Sequence, residues 1–379
     1  MLTETVDIVS VPQFFLLCAA YCRTQTYDFF VASSGDGGGF YRLFVDDDLV
    51  LDNWSLNRAI VDFVTVELDS GAHKIVLEHY GRQKWPGARL QLGISRHGDR
   101  VDDAALELAA GVDAVVVAAG FDASTESEGA DRTFRLPPGQ EELIREMAAA
   151  NDRTIVVMTS GGSVDMNDWL DRVPALLQAW FPGQEGGMAV AEILFGEVNP
   201  SGRLPATFEE RWEDNPAYDH CYPRPGTNKI EYKEGVFVGY RGFEQNGVAP
   251  LFPFGFGLSY TTFDYSGLEI SPRSTQDGNV SVSFDVTNTG DRAGSEVAQL
   301  YVSDTHSEVP RPPKELKGFV KVHLEPGETR RLTITLDRRA LAYYDADSAG
   351  WAVTPGEFDI LVGRSSAAIE LRGKLTFTN

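Results

Sequence analysis

The sequence predicts an α/β domain set between two all-β modules. Three patterns point to it: short strand-like runs between Gly- and Asp-rich turns over residues 27–95, apolar blocks alternating with helical patterns from about residue 101, and two-residue alternation from about residue 262. At 379 residues there is room for two or three domains, each with its own core. An apolar fraction of 42% excludes a disordered acidic chain. Lys and Arg number 33 against 56 Asp and Glu, a formal charge of −23 that repels polyphosphate and anionic lipid alike. Neither nucleic acid nor membrane is expected as a partner, and no apolar run approaches the ~18 residues of a bilayer span.

Residues 1–26 form an atypical N-terminal segment, because 13–22 is one apolar block without alternation. Residues 27–96 read as a β-module, with strands at 27–32, 40–45, 49–53, 61–68 and 73–80. Gly35-Asp36-Gly37-Gly38-Gly39 leads into a strand, not a helix N-terminus, and so reads as a hairpin turn and not as a phosphate cradle. In residues 101–213 a helical stretch at 104–110 precedes 114–118, a continuous apolar run expected of a strand buried on both faces. Pro137-Pro138-Gly139 opens a helix in which Leu143, Ile144, Met147 and Ala148 share one face. Two further buried strands follow at 154–158 and 175–180, then a helix at 185–195 closed by Gly196. Strand, helix, strand, helix in this order means a parallel sheet.

Residues 214–261 are rich in aromatics, Phe237, Phe243, Phe252, Phe254 and Phe256 among them, and read as an ordered wrapping connector. In residues 262–379, Val280, Val282, Phe284 and Val286 alternate with Ser281, Ser283, Asp285 and Thr287. Strands at 297–302, 319–324, 331–336 and 357–362 continue at the spacing of a β-sandwich of immunoglobulin-like size.

Ligands of open parallel sheets bind beyond the carboxyl ends of the strands. The loop leaving 114–118 carries Asp122, Glu126, Glu128 and Asp131, with Arg132 as its basic neighbour. Crowded carboxylates favour a protonated carboxyl group, the state a general acid needs. The alternative is a solvated acidic loop on an acidic protein. The Gly-rich stretch 183–187 lacks a following phosphate-binding lysine and reads as helix-entry packing.

Ser127-Glu128-Gly129-Ala130-Asp131-Arg132, followed by Leu136-Pro137 and Gln140, resembles the acid/base loop of family 3 glycoside hydrolases. The resemblance continues through Ala179-Trp180-Phe181-Pro182-Gly183-Gln184-Glu185-Gly186-Gly187, Asn199-Pro200-Ser201-Gly202-Arg203-Leu204-Pro205 and Phe252-Pro253-Phe254-Gly255-Phe256-Gly257-Leu258-Ser259-Tyr260, and covers roughly 101–365. It implies a flavodoxin-like α/β sandwich and then a fibronectin type III-like domain, marked by Arg311-Pro312-Pro313-Lys314-Glu315-Leu316-Lys317-Gly318-Phe319. Residues 27–95, notably Arg42-Leu43-Phe44-Val45-Asp46 and Leu51-Asp52-Asn53-Trp54, resemble the protective-antigen-like β-sandwich that some β-glucosidases carry over the active-site mouth, where it helps choose the aglycone. By this resemblance the chain is the C-terminal portion of a β-glucosidase-like enzyme that cleaves O-glycosidic bonds of β-glucosides with retention. Glu128 is the implied general acid/base and Glu126 the fallback; Asp131 and Arg132 shape the loop.

In that family the nucleophilic aspartate and most sugar contacts sit on an N-terminal (β/α)8 barrel of ~250 residues. Only 26 residues precede the first β-module here, and no second motif allows a nucleophile to be carried over. The chain is therefore expected to need a barrel-containing chain or assembly with its own copies. The alternative is a catalytically silent carbohydrate-binding or scaffold module. No cofactor is implied, and the six histidines lack metal-ligand spacing. Cys18, Cys22 and Cys221 read as free thiols, and 1–20 lacks the basic start of a secretory leader, so the cytoplasm is favoured.

Overall fold

The computed structural model describes residues 6–9, 14–34, 40–53, 61–80, 89–98, 101–123, 125–126, 128, 132–222, 229–304, 306–307 and 309–378. They form two compact units, 1–186 and 187–379.

The first unit opens with eight strands, β1 (Val6–Val9), β2 (Phe14–Cys22), β3 (Gln25–Ser34), β4 (Phe40–Val45), β5 (Asp48–Asn53), β6 (Val61–Leu68), β7 (Gly71–Tyr80) and β8 (Arg89–Arg96). They make two four-stranded antiparallel sheets, ordered β1-β8-β3-β6 and β2-β7-β4-β5. Alternate side chains point inward, as a pleat requires, and Tyr27, Phe29 and Val31 of β3 meet Tyr41, Leu43 and Val45 of β4 in one core. Residues 1–26, set apart in the sequence because 13–22 does not alternate, contribute β1 and β2. β2 pairs along its whole length with β7, from Phe14 opposite His79 to Cys22 opposite Gly71. Pairing uses backbone groups that every non-proline residue carries, whereas alternation reports only which face meets water. The hairpin turn expected at 35–39 and the aromatic Trp54 lie outside the described residues.

The α/β part of this unit comprises α1 (Asp103–Gly111), β9 (Val115–Gly120), α2 (Gln140–Ala150), β10 (Thr154–Thr159) and β11 (Ala175–Gln178). The three strands are parallel, in the order β11-β10-β9. Asn151 closes α2 and ties it to α1, donating from Nδ2 to the Ala109 and Val112 carbonyls at 2.9 Å each. The expectation of burial on both faces of the first strand holds on one face only. Val117 and Ala119 are buried, while Val116 is 51% exposed because β9 is an edge strand with one face uncovered by the described residues. The strand expected over 175–180 ends at Gln178. Two residues later Trp180 has φ 57°, a left-handed conformation that a bulky side chain seldom adopts and that turns the chain away.

The second unit begins with α3 (Gly186–Leu194), followed by α4 (Tyr240–Asn246), β12 (Phe263–Ser271), β13 (Ser274–Thr275), β14 (Val280–Asn288), β15 (Gly294–Asp304), β16 (Glu315–Leu324), β17 (Thr329–Leu336), α5 (Arg338–Leu341), β18 (Tyr343–Asp345), β19 (Gly350–Ala352), β20 (Gly356–Gly363) and β21 (Ile369–Phe377). Sheets β12-β14-β17 and β13-β21-β20-β15-β16 close on a shared core in which Val280, Val282, Phe284 and Val286 face Leu300, Val302, Ile360 and Val362. In residues 214–261, Phe252 stacks on Phe256 at 5.4 Å, and Tyr240 stacks on Phe254 at 5.0 Å while meeting Tyr301 edge-on. Among the described residues no helix is long and apolar enough to cross a membrane, and no three His, Cys, Asp or Glu side chains converge as a metal site.

Candidate active site

Strands β9 and β10 end side by side at Gly120 and Thr159. Gly120 has φ 132°, and a Cβ there would collide with the Thr159 backbone, so the crossing admits only glycine. The strand end is clasped from the start of α2: the Gly120 N–H donates to Gln140 Oε1 at 2.6 Å, and Gln140 Nε2 donates to the Gly120 carbonyl at 2.9 Å. Gln140, noticed in the sequence only as part of a motif, thus fixes the point where the loop departs.

Beyond it the chain makes a tight turn. The N–H groups of Thr125 and Glu126 both donate to the Asp122 carbonyl, at 3.0 and 2.8 Å, and Thr125 Oγ1 lies 3.1 Å from the Asp122 carboxylate. This turn aims Glu126 at the neighbouring loop. Its carboxylate accepts the Gly161 N–H, with both oxygens at 3.2 Å, and lies 3.3 Å from Arg132 Nε. Arg132 also donates to the carbonyls of Thr133 at 3.0 Å and Ser163 at 2.8 Å, and its guanidinium sits 4.6 Å above the Phe121 ring. The Glu126–Arg132 pair is largely shielded, with side-chain exposures of 21% and 16%.

Glu128, two residues further on, is exposed and has no hydrogen bond or ion pair among the described residues. Of the four carboxylates noted in the sequence, the three that are described differ in their surroundings. Asp122 is built into the turn, Glu126 is committed to Arg132 and Gly161, and Glu128 stands clear. Asp131, with Ser127, Gly129 and Ala130, lies outside the described residues. Among the described residues Arg132 pairs with Glu126.

The second half of the site, Ser160-Gly161-Gly162 after β10, went unnoticed in the sequence. Ser160 is buried; its Oγ donates to the Gly162 carbonyl at 2.7 Å, and Gln178 of β11 donates to it and to its carbonyl at 3.1 Å. A Cβ on Gly161 would collide with the Glu126 carboxylate, and one on Gly162 would come within 3.1 Å of Arg132. The available signal was a glycine pair directly after a buried parallel strand, where ligands of such sheets bind. The other Gly-rich stretch, 183–187, is the entry to α3, with Gly183 at φ 73° and the Gly186 N–H bonded to the Gly183 carbonyl. On the far side of the loop, Arg135 lies 4.5 Å above the Phe63 ring of β6 and pairs with Glu141 at 2.6 Å, so the N-terminal β-strands abut the loop's exit.

Two parts of the chain match known protein families. Residues 35–260 match the glycosyl hydrolase family 3 C-terminal domain, and residues 296–366 match a fibronectin type III-like domain. A thermostable beta-glucosidase B from Acetivibrio thermocellus is 47% identical over 271 residues, covering 71% of this chain and 35% of the relative. A probable beta-glucosidase I from Aspergillus fumigatus is 40% identical over 367 residues, covering 89% of this chain and 43% of the relative. Among solved structures, DesR, a beta-glucosidase from Streptomyces venezuelae in complex with D-glucose, superposes with a TM-score of 0.72 at 31% identity, covering 100% of this chain and 46% of that one. The beta-glucosidase from Kluyveromyces marxianus superposes with a TM-score of 0.71 at 34% identity, covering 97% and 45%. The chain thus spans less than half the length of these relatives.

Proposed function

Since the chain belongs to glycosyl hydrolase family 3, of which it carries the C-terminal domain, we propose that it supplies the acid/base half of a retaining β-glucosidase active site. Glu128 protonates the glycosidic oxygen as the bond to the aglycone breaks. A carboxylate from outside the 379 residues attacks the anomeric carbon and forms a covalent glycosyl-enzyme. Glu128, now a carboxylate, takes a proton from the water that hydrolyses it. The observation that carries this reading is the division of labour two residues apart: Glu126 has its charge taken up by Arg132 and Gly161, whereas Glu128, in the loop beyond the carboxyl end of a parallel strand, is exposed and has no partner among the described residues.

The second carboxylate, with most of the sugar contacts, is assigned to a (β/α)8 barrel on a partner chain or on the remaining length that the relatives possess. Residues 27–96 are read as a partial protective-antigen-like sandwich, 101–213 as the α/β sandwich, 214–261 as the connector and 262–379 as the fibronectin type III-like domain. The Phe63–Arg135 contact supports a role for the first of these in aglycone choice, because it joins that module to the segment just after the acid/base loop.

Hydrolysis of 4-nitrophenyl β-glucoside tests the reading. The 379-residue chain alone is expected to show no turnover, and a complex with a barrel-bearing chain of the family is expected to turn over. In that complex Glu128→Gln lowers kcat/KM by about 10²- to 10⁴-fold. Turnover by the chain alone, abolished by Glu128→Gln, would place the nucleophile inside it and refute the division. A folded complex without turnover would favour the silent module.

A further inference from the structure

In the second unit a cleft of about 820 Å³ is lined by the β18–β19 hairpin, α5, the start of β16 and Arg241 of α4. It shares no residue with the acid/base loop. Part of its lining is aromatic: Tyr344 and Trp351 pair across the hairpin, their rings meet edge to face at 5.3 Å, and they remain 54% and 49% exposed. The Arg339 guanidinium lies 3.3 Å from the Trp351 ring centre, which fixes the indole, and its N–H groups have no acceptor among the described residues.

The rest of the lining is ionic and unevenly matched. The Glu315 carboxylate is shared by Arg311 at 2.8 Å, Lys317 at 3.3 Å and Arg241 at 3.7 Å. Arg311 is satisfied, since it also pairs with Asp304 at 3.0 Å and donates to the Leu341 carbonyl at 2.9 Å. Arg241 is too far from Glu315 for a hydrogen bond, and among the described residues no acceptor fills its fork of donors. Burial holds the Lys317 ammonium below its usual range despite Glu315. Among the described residues, the three cations Arg241, Arg311 and Lys317 thus pair with two carboxylates, Glu315 and Asp304. Asp337 caps α5, Asp345 accepts from Ser348 and the Asp347 N–H, and Asp347 is exposed at the hairpin turn; among the described residues none of the three pairs with Arg241 or Lys317.

We propose that this cleft is a binding site for a carboxylated saccharide, a uronic acid unit, whose carboxylate is taken by Arg241 and Lys317 while its pyranose ring lies against Tyr344 and Trp351. A guanidinium fork matches a carboxylate in geometry and charge, and aromatic faces suit the C–H face of a sugar ring. A neutral sugar would engage the rings and leave Arg241 and Lys317 with only the Glu315 carboxylate that they share with Arg311.

The test is an NMR titration of the ¹⁵N-labelled full chain, following the Trp351 indole N–H, which is assigned by its loss in Trp351→Phe. Sodium glucuronate is expected to shift it saturably, and cellobiose to bind at least about tenfold more weakly, as loss of a charge-assisted hydrogen bond implies. Arg241→Gln is expected to weaken glucuronate binding by a similar factor. Should that variant disturb the remaining spectrum, Lys317→Met serves in its place. The proposal falls if glucuronate gives no saturable shift, if cellobiose binds equally well, if benzoate outcompetes glucuronate, or if the folded cation variant binds undiminished.

Discussion

The Glu126 carboxylate occupies the space that a Cβ on residue 161 would fill. Gly161→Ala must therefore push Glu126 away from its N–H donor and from Arg132, and overpacking of this kind costs about 1–3 kcal/mol. Thermal unfolding is expected to show a lowered midpoint, with faster hydrogen exchange in the loop after β9; an unchanged midpoint and unchanged exchange would contradict the role given to this contact. The sequence singles out Glu128 as a candidate because a run of adjacent residues carries the resemblance. It did not make Glu126's task legible, because that task depends on Gly161, 35 residues away, and on two parallel strands ending together. No local pattern records that adjacency.

At the scale of elements, β4 and β5 are joined by Asp46 and Asp47 at φ 51° and 72°, conformations that favour Gly or Asn in two-residue hairpin loops. Polar contacts to β7 hold this turn. Asp46 accepts the Lys74 N–H at 2.8 Å and pairs with His73 Nδ1 at 2.6 Å. The bond to Asp46, then that to the Asp69 carbonyl, raises the His73 pKa above 6.5. Because the folded chain holds this proton more tightly, the stabilisation is fully present below 6.5 and is lost as pH rises through the folded value. The unfolding midpoint of His73→Gln is expected to lie below wild type in mildly acidic solution and to converge on it in alkaline solution. A gap that widens with rising pH would contradict this. Strand positions were legible wherever one face meets water, as in β14. β2 was not, because an apolar block without alternation hides which residues face the core. The edge position of β9 was equally hidden, since a run of valines and alanines reads the same in a central strand as in an edge strand.

For the whole molecule, large apolar side chains remain exposed in each unit: Val116 and Leu108, at 51% and 68%, in the first, and Met188, Phe195 and Leu258, at 62%, 85% and 74%, in the second. Large apolar side chains left exposed on a folded surface favour association. Sedimentation velocity is expected to show concentration-dependent self-association of the isolated chain, and a clean monomer at high concentration would contradict that. Azide rescue tests the assignment of Glu128 most directly. In the complex with a barrel-bearing chain, Glu128→Gln is expected to be slow on 2,4-dinitrophenyl β-glucoside, limited by breakdown of the glycosyl-enzyme. Added azide, which needs no general base, should restore turnover and yield β-glucosyl azide. Glu126→Gln should show no such rescue. Rescue in Glu126→Gln and not in Glu128→Gln, or an α-configured azide product, would contradict the assignment.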